Sequence, residues 1–375
     1  VAEQDVDSYG LSGTHAAERI AAPELPYRPT EPRSYDPGIG LIGCGGISAH
    51  HLAAYRKAGY RVVAMCDRNL DRAEERRVEY APDATLYDDP AALIADAGVE
   101  VVDATPHPAD RVPLVEAALR AGKHVLSQKP FVLDLDEGER LAALADEAGV
   151  KLAVNQNGRW APHFAYARAA AEAGILGRIS SVDMSLQFDH NWTEGTPFED
   201  VHHLILFDFA IHWFDILQAL AGQPATRVFA SVRRSRTQRV RPPLLAHAVI
   251  DWPDLQATLA INGNTRLGQR DRTVIVGDEA TLTSDGPGLN EQTVRLTTAA
   301  GVAVPDLQGA WFDDGFHGAM AELLCAIEDD REPDNSARRN LPSLALCFAA
   351  IASADRAEPV SPGTVRQLPP SVFSS

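Results

Sequence analysis

The chain has little of what a secreted, membrane-bound or nucleic-acid-binding protein needs. Its four cysteines (Cys44, Cys66, Cys325 and Cys347) form no C-x-x-C pair and show no metal-ligand spacing, which argues against a disulfide scaffold and fits a reducing compartment. No apolar run reaches the roughly 20 residues needed to span a bilayer. The N-terminal stretch carries no apolar signal core, so a cytoplasmic location and no membrane partner are expected. Positive charge is also short. Lys and Arg number 34 against 52 Asp and Glu, leaving a net charge of −18, the wrong sign for nucleic acid or an anionic membrane surface. The one basic concentration (Arg227, Arg233, Arg234, Arg236, Arg239 and Arg241) reads as a solvated strand edge or loop. Internal repeats are missing. Residues 1–37 repeat proline too often (Pro23, Pro26, Pro29, Pro32, Pro37) for a helix or strand, and they read as an arm, loose or lying over another domain or subunit.

What is present is a β-α-β unit from Gly38 to Asp67. An apolar run (Ile39, Leu41, Ile42) meets the glycine cluster Gly43-Cys44-Gly45-Gly46, a helical segment follows, and a second apolar run (Val62–Met65) ends on Asp67. This is the dinucleotide fingerprint: Gly43 for the tight turn, Gly45 for close approach to a pyrophosphate at a helix N-terminus, and Asp67 for the ribose hydroxyls. Ser48 replaces the third glycine and is small enough for close packing. The expected cofactor contacts here are Gly43, Gly45, Gly46, Ile47, Asp67 and Arg68. Asp67 favours NAD by repelling a 2′-phosphate, while Arg68 beside it keeps NADP open.

Strands alternate with helices through Val154, which predicts a doubly wound parallel sheet of a Rossmann domain over 38–155. Its strand ends hold Gly43–Gly46, Asp67, Thr105–His107, Gln128–Pro130 and Asn155–Trp160, and ligands of such sheets bind at those ends. Beyond residue 155 β-rich runs dominate: Ile179–Phe188, Arg227–Val232, Ala246–Trp252, Ala257–Asn262, Arg272–Val276, Ala280–Thr283 and Thr293–Leu296. They predict a second α/β domain over 156–375 with a large, mostly antiparallel open sheet. A helix over Leu206–Ala221 interrupts it, and two late helices close the chain.

Two further motifs, Gln128-Lys129-Pro130 and Asp208-Phe-Ala-Ile-His212-Trp-Phe-Asp215, complete a resemblance to the Gfo/Idh/MocA oxidoreductases, which include glucose–fructose oxidoreductase and inositol dehydrogenase. It runs from Gly38 to the C-terminus. The resemblance implies an NAD(P)-dependent dehydrogenase acting on a secondary alcohol of a sugar, glycoside or cyclitol, with a homodimer or homotetramer built on the open sheet. It adds Thr105, Pro106, His107, Gln128 and Lys129 to the cofactor contacts. Three departures stand out: Gln128 where the family usually has Glu, His107 and Asp110 in the loop after Pro106, and Ala210 for a glycine. Gln128 gives Lys129 no ionic partner.

Oxidising an alcohol needs a proton acceptor as well as a hydride acceptor. Lys129 at a strand end and His212 carry that role, with Asp208 orienting the ring or holding substrate. Asp208, His212 and Asp215 fall at i, i+4 and i+7 on one helix face, beside an apolar stripe of Phe209, Trp213, Ile216, Leu217 and Leu220. Asp215 reads as a packing or capping residue. Asn157, Arg159, Trp160, His190, Trp192 and His203 are expected to contact a polyhydroxylated substrate through stacking and hydrogen bonds. Adjacent His202 and His203 point apart on a helix and lack an acid in ligand spacing, so no metal is expected. Two other readings stay open: an NAD-dependent glycoside hydrolase or lyase working through a transient 3-keto sugar, and a non-catalytic dinucleotide-sensing regulator. Apolar positions on the second sheet (Val182, Met184, Leu186, Ala248, Ile250, Leu259, Ile261) are expected to need a subunit cover if part of them lies on its open face.

Overall fold

A computed structural model describes residues 18–373; the first part of the proline-rich arm lies outside the described residues. The first sheet holds β1 (Ile39–Ile42), β2 (Val62–Cys66), β3 (Thr85–Tyr87), β4 (Val101–Ala104), β5 (His124–Ser127) and β6 (Leu152–Val154). Their order is β3-β2-β1-β4-β5-β6, and every pairing is parallel. The crossovers are α1 (Ser48–Ala58), α2 (Leu70–Tyr80), α3 (Pro90–Ala95), α4 (Pro108–Arg120) and α5 (Leu135–Ala148). Asn69, Asp89 and Asp134 cap α2, α3 and α5, each accepting a backbone N–H two residues on, which satisfies donors that the first turn leaves free. The strand order reverses between β1 and β4, and a crevice forms at their carboxyl ends.

After α6 (Pro162–Glu172), the second sheet collects β7 (Ile179–Gln187), β8 (Arg227–Arg233), β9 (Leu245–Asp251), β10 (Gln256–Asn262), β11 (Arg270–Gly277), β12 (Ala280–Gly288), β13 (Glu291–Thr298) and β14 (Gly301–Ala303), with α7 (Ile211–Ala221) between β7 and β8. The order is β14-β13-β12-β11-β7-β10-β9-β8; only β7 with β10 runs parallel among these pairings. Strict alternation sets which side faces in. Val182, Met184, Leu186, Ala248, Ile250, Leu259 and Ile261 are all buried in the core, so none of that apolar set reaches the open face. The open face instead carries the alternate residues. Among them Phe229 and Val249 lie opposite each other in register and are 43% and 42% exposed.

Two late helices tie the halves together. α8 (Trp311–Glu328) returns to the coenzyme domain, where Phe316, Met320, Leu323 and Leu324 join Ile39, Tyr55, Val101 and Leu126 in one core. α9 (Ala337–Arg356) packs on α7, α5 and β8. The described part of the arm lies over its own chain. Ile20 N–H donates to Val302 O of edge strand β14 at 3.0 Å and Val302 N–H to Glu18 O at 2.8 Å. Further along, the Glu328 carboxylate accepts the backbone N–H groups of Arg33, Ser34 and Tyr35. The arginine-rich stretch after β8 is a surface loop with local acidic partners, such as Arg239 on Glu194 and Arg241 on Asp200.

The helix expected over Leu206–Ala221 is in two pieces. Ile205–Phe209 is a π-helical turn, and α7 starts at Ile211. Ala210 N–H donates back five residues to Ile205 O at 2.7 Å. The wider turn takes Asp208 out of α-helical register with His212.

Candidate active site

The glycine loop at the end of β1 has the geometry of a phosphate cradle. Gly43 sits at φ 96°, where a side chain is strained, and a Cβ there would meet Thr105 Oγ1 at 2.7 Å. Thr105 Oγ1 donates to Gly43 O at 2.6 Å, which locks the loop to the end of β4. Over Gly45 and Gly46 the space is open, with nothing within 4 Å of an added Cβ. Ile47 N-caps α1, and Ser48 is buried, its hydroxyl donating to Gly45 O at 2.6 Å. The Asp67 carboxylate accepts Cys44 N–H and Asn69 N–H, both at 2.8 Å, so the acid is anchored beside the cradle. Arg68 is exposed next to it, and His107 is exposed at the start of α4. These residues fit a dinucleotide: a bare backbone at a helix N-terminus and a fixed ribose acceptor.

Lys129 lies two residues past the end of β5, and its Nζ crosses to the second domain. It donates to Asp208 O at 2.8 Å and to Asp208 Oδ1 at 3.1 Å. Asp208 therefore supplies the ionic partner that Gln128 does not, and the carboxylate sits on Lys129 rather than on His212. Gln128 turns inward, 5% exposed, and its Oε1 accepts the backbone N–H of Lys129 at 2.6 Å. His212 lies beside Lys129. Burial first and the Lys129 charge second push its imidazole well below the ordinary value, leaving a neutral ring at pH 7. Its Nδ1 has no partner among the described residues, and its ring meets Trp311 edge-on at 5.9 Å.

Around these groups runs a continuous set of aromatic rings: His190 on Phe209 at 4.3 Å, Phe209 on Trp213 at 4.6 Å, Trp213 on Trp311 at 5.4 Å, and Trp311 near His163 at 6.0 Å. Buried polar atoms in this set lack partners among the described residues: His190 Nδ1, Trp213 Nε1, His163 Nε2 and His212 Nδ1. Burial lowers His190 to about 4 and His163 to about 3. Unpaired buried donors and acceptors are costly; His190 and His212 lie within reach of the Lys129 charge, and the set suits a ligand rich in hydroxyls. Sequence reasoning did not single out His163 or Trp311. His163 stood one residue into an alanine-rich helix, and Trp311 sat far off in the chain with no motif around it.

The other expected substrate contacts separate. Arg159 is buried with Asp215 in a two-pronged ion pair, Nε to Oδ2 at 2.6 Å and Nη2 to Oδ1 at 2.8 Å, and Nη1 donates to Asp334 O at 2.8 Å. Asn157 Oδ1 accepts from Trp311 Nε1 at 3.2 Å, at the edge of the aromatic set. The Trp160 ring packs on Gly318 of α8 and under Arg168. His203 Nε2 is bonded to Asp355 at 2.8 Å. Trp192 is 60% exposed, edge-on to Phe198 and near His190. A broad hollow of about 710 Å³ at the β8–β9 edge, lined by Arg227, Asp251 and Trp252, includes none of the candidate chemical groups. Convergence of polar groups, not hollow size, locates this site. Among the described residues no group of three or more His, Cys, Asp or Glu is arranged to hold a metal ion, and no helix is long and apolar enough to cross a membrane.

A Rossmann domain with an open glycine cradle, coupled across a cleft to a second domain by a lysine and an acid, defines a two-domain NAD-binding oxidoreductase. The chain belongs to the Gfo/Idh/MocA family: the model of the oxidoreductase family with an NAD-binding Rossmann fold matches residues 38–156, and the family's C-terminal domain matches residues 164–283. A D-apiose dehydrogenase of Paraburkholderia graminis is 29% identical over 349 residues, 89% of this chain and 92% of the relative. Myo-inositol dehydrogenase Hyg17 of Streptomyces leeuwenhoekii is 30% identical over 295 residues, 73% of this chain and 82% of the relative. Among solved structures, an oxidoreductase from Agrobacterium radiobacter in complex with NAD+, L-tartaric acid and magnesium superposes with a TM-score of 0.79 at 23% identity, covering 88% of this chain and 99% of that one.

Proposed function

We propose that the protein oxidises a secondary alcohol of a sugar or cyclitol, with NAD preferred over NADP, and that Lys129 and His212 handle the hydroxyl proton. The carrying observation is the meeting of Lys129 from the coenzyme domain with Asp208 from the second domain, at 2.8 and 3.1 Å, beside a neutral imidazole whose Nδ1 has no partner among the described residues. Bound at the glycine cradle, NAD supplies the hydride acceptor. The chain's own residues do the rest. Lys129 Nζ and His212 reach a hydroxyl from opposite sides of the cleft, Asp208 keeps Lys129 extended, and the aromatic set excludes water and offers unpaired ring nitrogens to further hydroxyls. The NAD preference rests on Asp67, whose carboxylate is placed to hydrogen-bond the ribose hydroxyls and repel a 2′-phosphate, with Arg68 beside it opposing that repulsion. The dehydrogenases of D-apiose and myo-inositol among its relatives support the substrate class.

The test is purified protein with NAD or NADP and a panel of aldoses, inositols and glycosides, followed by nicotinamide absorbance. Substrate-dependent formation of reduced coenzyme is expected. Glycoside cleavage without net absorbance change would transfer the protein to hydrolysis through a transient keto sugar. No turnover of any substrate would favour a sensor role. Calorimetry is expected to show tighter NAD than NADP binding. We also propose a homodimer or homotetramer covering the open sheet face around Phe229 and Val249; a monomer in sedimentation at micromolar concentration would refute it. Four free, buried cysteines fit a cytoplasmic setting.

A further inference from the structure

Behind Lys129 the coenzyme domain buries a chain of polar side chains that the proton-transfer reading does not use. His51 of α1 and Asp103 of β4 are both fully buried. Asp103 Oδ2 accepts from Tyr55 Oη at 2.7 Å and lies 2.7 Å from His51 Nδ1. On the far side of the ring, His51 Nε2 is 3.1 Å from Gln128 Nε2 and 3.1 Å from Asn155 Nδ2. The Gln128 amide is oriented independently, because its Oε1 accepts Lys129 N–H at 2.6 Å, and this leaves its NH₂ facing the imidazole. His51 Nε2 therefore meets donors and must accept, while Nδ1–H donates to Asp103: a neutral imidazole in one tautomer. On the other side of Lys129, the Arg111 guanidinium of α4 is 1% exposed. Its Nη2 donates to Pro130 O at 2.7 Å, and its Nε and Nη1 have no partner among the described residues.

We propose that His51 and Arg111 are positioning residues for Lys129: His51 acts through Gln128 on the lysine's backbone N–H, and Arg111 acts on the carbonyl of Pro130. Stability does not account for Arg111. A buried guanidinium with one hydrogen bond costs free energy rather than adding it. Burial holds Arg111 down to about 9, opposed by Asp103 and Asp208, so the cation persists at neutral pH between an acid behind the strand and an acid across the cleft. The three-residue segment Gln128-Lys129-Pro130 is thus gripped from inside at both flanks, and only the Lys129 side chain is left to extend to Asp208. The grip also explains an uncharged amide at position 128. A carboxylate there would face the lone pair of His51 Nε2 and would force a proton onto the ring.

The proposal rests on Lys129 as the proton-handling group, and its test separates the two claims. In ¹⁵N spectra of the full-length protein at neutral pH, His51 is expected to show a protonated Nδ1 and a bare Nε2. In Gln128→Glu both nitrogens are expected to be protonated. His51→Asn, which keeps a donor for Asp103 but loses the acceptor for Gln128, and Arg111→Met are each expected to lower kcat by up to about 10²-fold, the cost of misplacing a catalytic group by about an ångström. Substrate KM should stay near wild type, and Arg111→Lys should recover part of the loss. Should Arg111→Met not fold, the ¹⁵N signature and His51→Asn still decide. An Nε2-protonated His51 in the wild type, or wild-type kcat in both His51→Asn and Arg111→Met while Lys129→Met is inactive, would overturn the clamp. Wild-type kcat in Lys129→Met would instead overturn the role of Lys129 and leave the ¹⁵N result standing.

Discussion

Two acids seven residues apart on one helical segment, Asp208 and Asp215, each meet a cation from the region around the coenzyme domain's strand ends, and they are used in opposite ways. Asp215 is 1% exposed, grips Arg159 with both oxygens, and also accepts from Ser343 at 2.9 Å. Asp208 is 31% exposed and Lys129 is 15% exposed, with one carboxylate oxygen engaged at 3.1 Å. The first pair has little capacity left for a ligand. The second keeps a free carboxylate oxygen and a rotatable ammonium at the mouth of a cleft. A saturated, bidentate Arg pair fixes geometry, whereas an incompletely satisfied Lys pair can exchange partners with a substrate. In this helix, spare hydrogen-bonding capacity marks the chemistry better than charge does.

The largest expected difference is in turnover. Lys129→Met and His212→Asn should each lower kcat by ~10²–10⁴-fold, the usual cost of removing a positioned acid–base group, far more than they weaken NAD binding. The double mutant should lose little beyond the worse single, as groups acting as a unit do. Steady-state kinetics on the substrate found in the panel checks this. Near-wild-type kcat in both singles would move the chemistry to His107 or His190.

The buried pair should answer in stability instead. Arg159→Met strands Asp215 in the core and is expected to cost about 3–5 kcal/mol, read by urea unfolding. Substrate KM for the folded fraction should hold. Replacing both partners, Arg159→Met with Asp215→Leu, should recover much of the loss, because an apolar pair needs no desolvated charge. A large KM rise in the single mutant with unchanged stability would return Arg159 to the substrate site.

Much of this architecture is legible in the sequence because its determinants are local. The strand–glycine–helix–strand–acid series sets the first domain, and period-two alternation marks seven of the eight strands of the second sheet. The short edge strand β14, three residues long, carries too little pattern to register. The site was harder to read. Helical spacing places Asp208, His212 and Asp215 on one face, but the π-turn at Ile205–Phe209 has no signature in composition and sends the two acids to different partners. Arg159 looks like any polar residue just past a strand end until Asp215 of α7 closes on it. Nothing in the sequence ties Asp103, an acid inside an apolar strand, to His51 and Tyr55, an i, i+4 pair. Only the fold brings both to Gln128.

A smaller effect separates charge from geometry within the open pair. Asp208→Asn keeps an oxygen for Lys129 Nζ but loses the charge. The expected loss in kcat is about tenfold, equivalent to weakening a charge-assisted hydrogen bond by roughly 1.5 kcal/mol. Stability should be nearly unchanged, since a half-exposed pair contributes little. Asp215→Asn should show the reverse, with lower stability and kcat close to wild type in the folded fraction.

The smallest expected effect is a pH slope arising beside the open pair. Burial pushes His190 down to about 4, with Asp208 and Asp189 opposing that shift and Lys129 adding to it. An unfolded histidine titrates near 6.5. Below that pH the unfolded chain binds a proton that the native ring refuses, so stability is full above about pH 6.5 and falls as pH drops toward the native value. At pH 5 the loss from this one ring should be on the order of 1–2 kcal/mol. His190→Gln cannot take up that proton and keeps a side chain able to hydrogen-bond, so its unfolding free energy should fall less steeply than wild type between pH 6.5 and 4. Identical slopes in the two proteins would mean that the His190 ring is already hydrated in the free enzyme. The cleft beside Lys129 would then be wet, and the exclusion of water would have to come with the coenzyme and substrate.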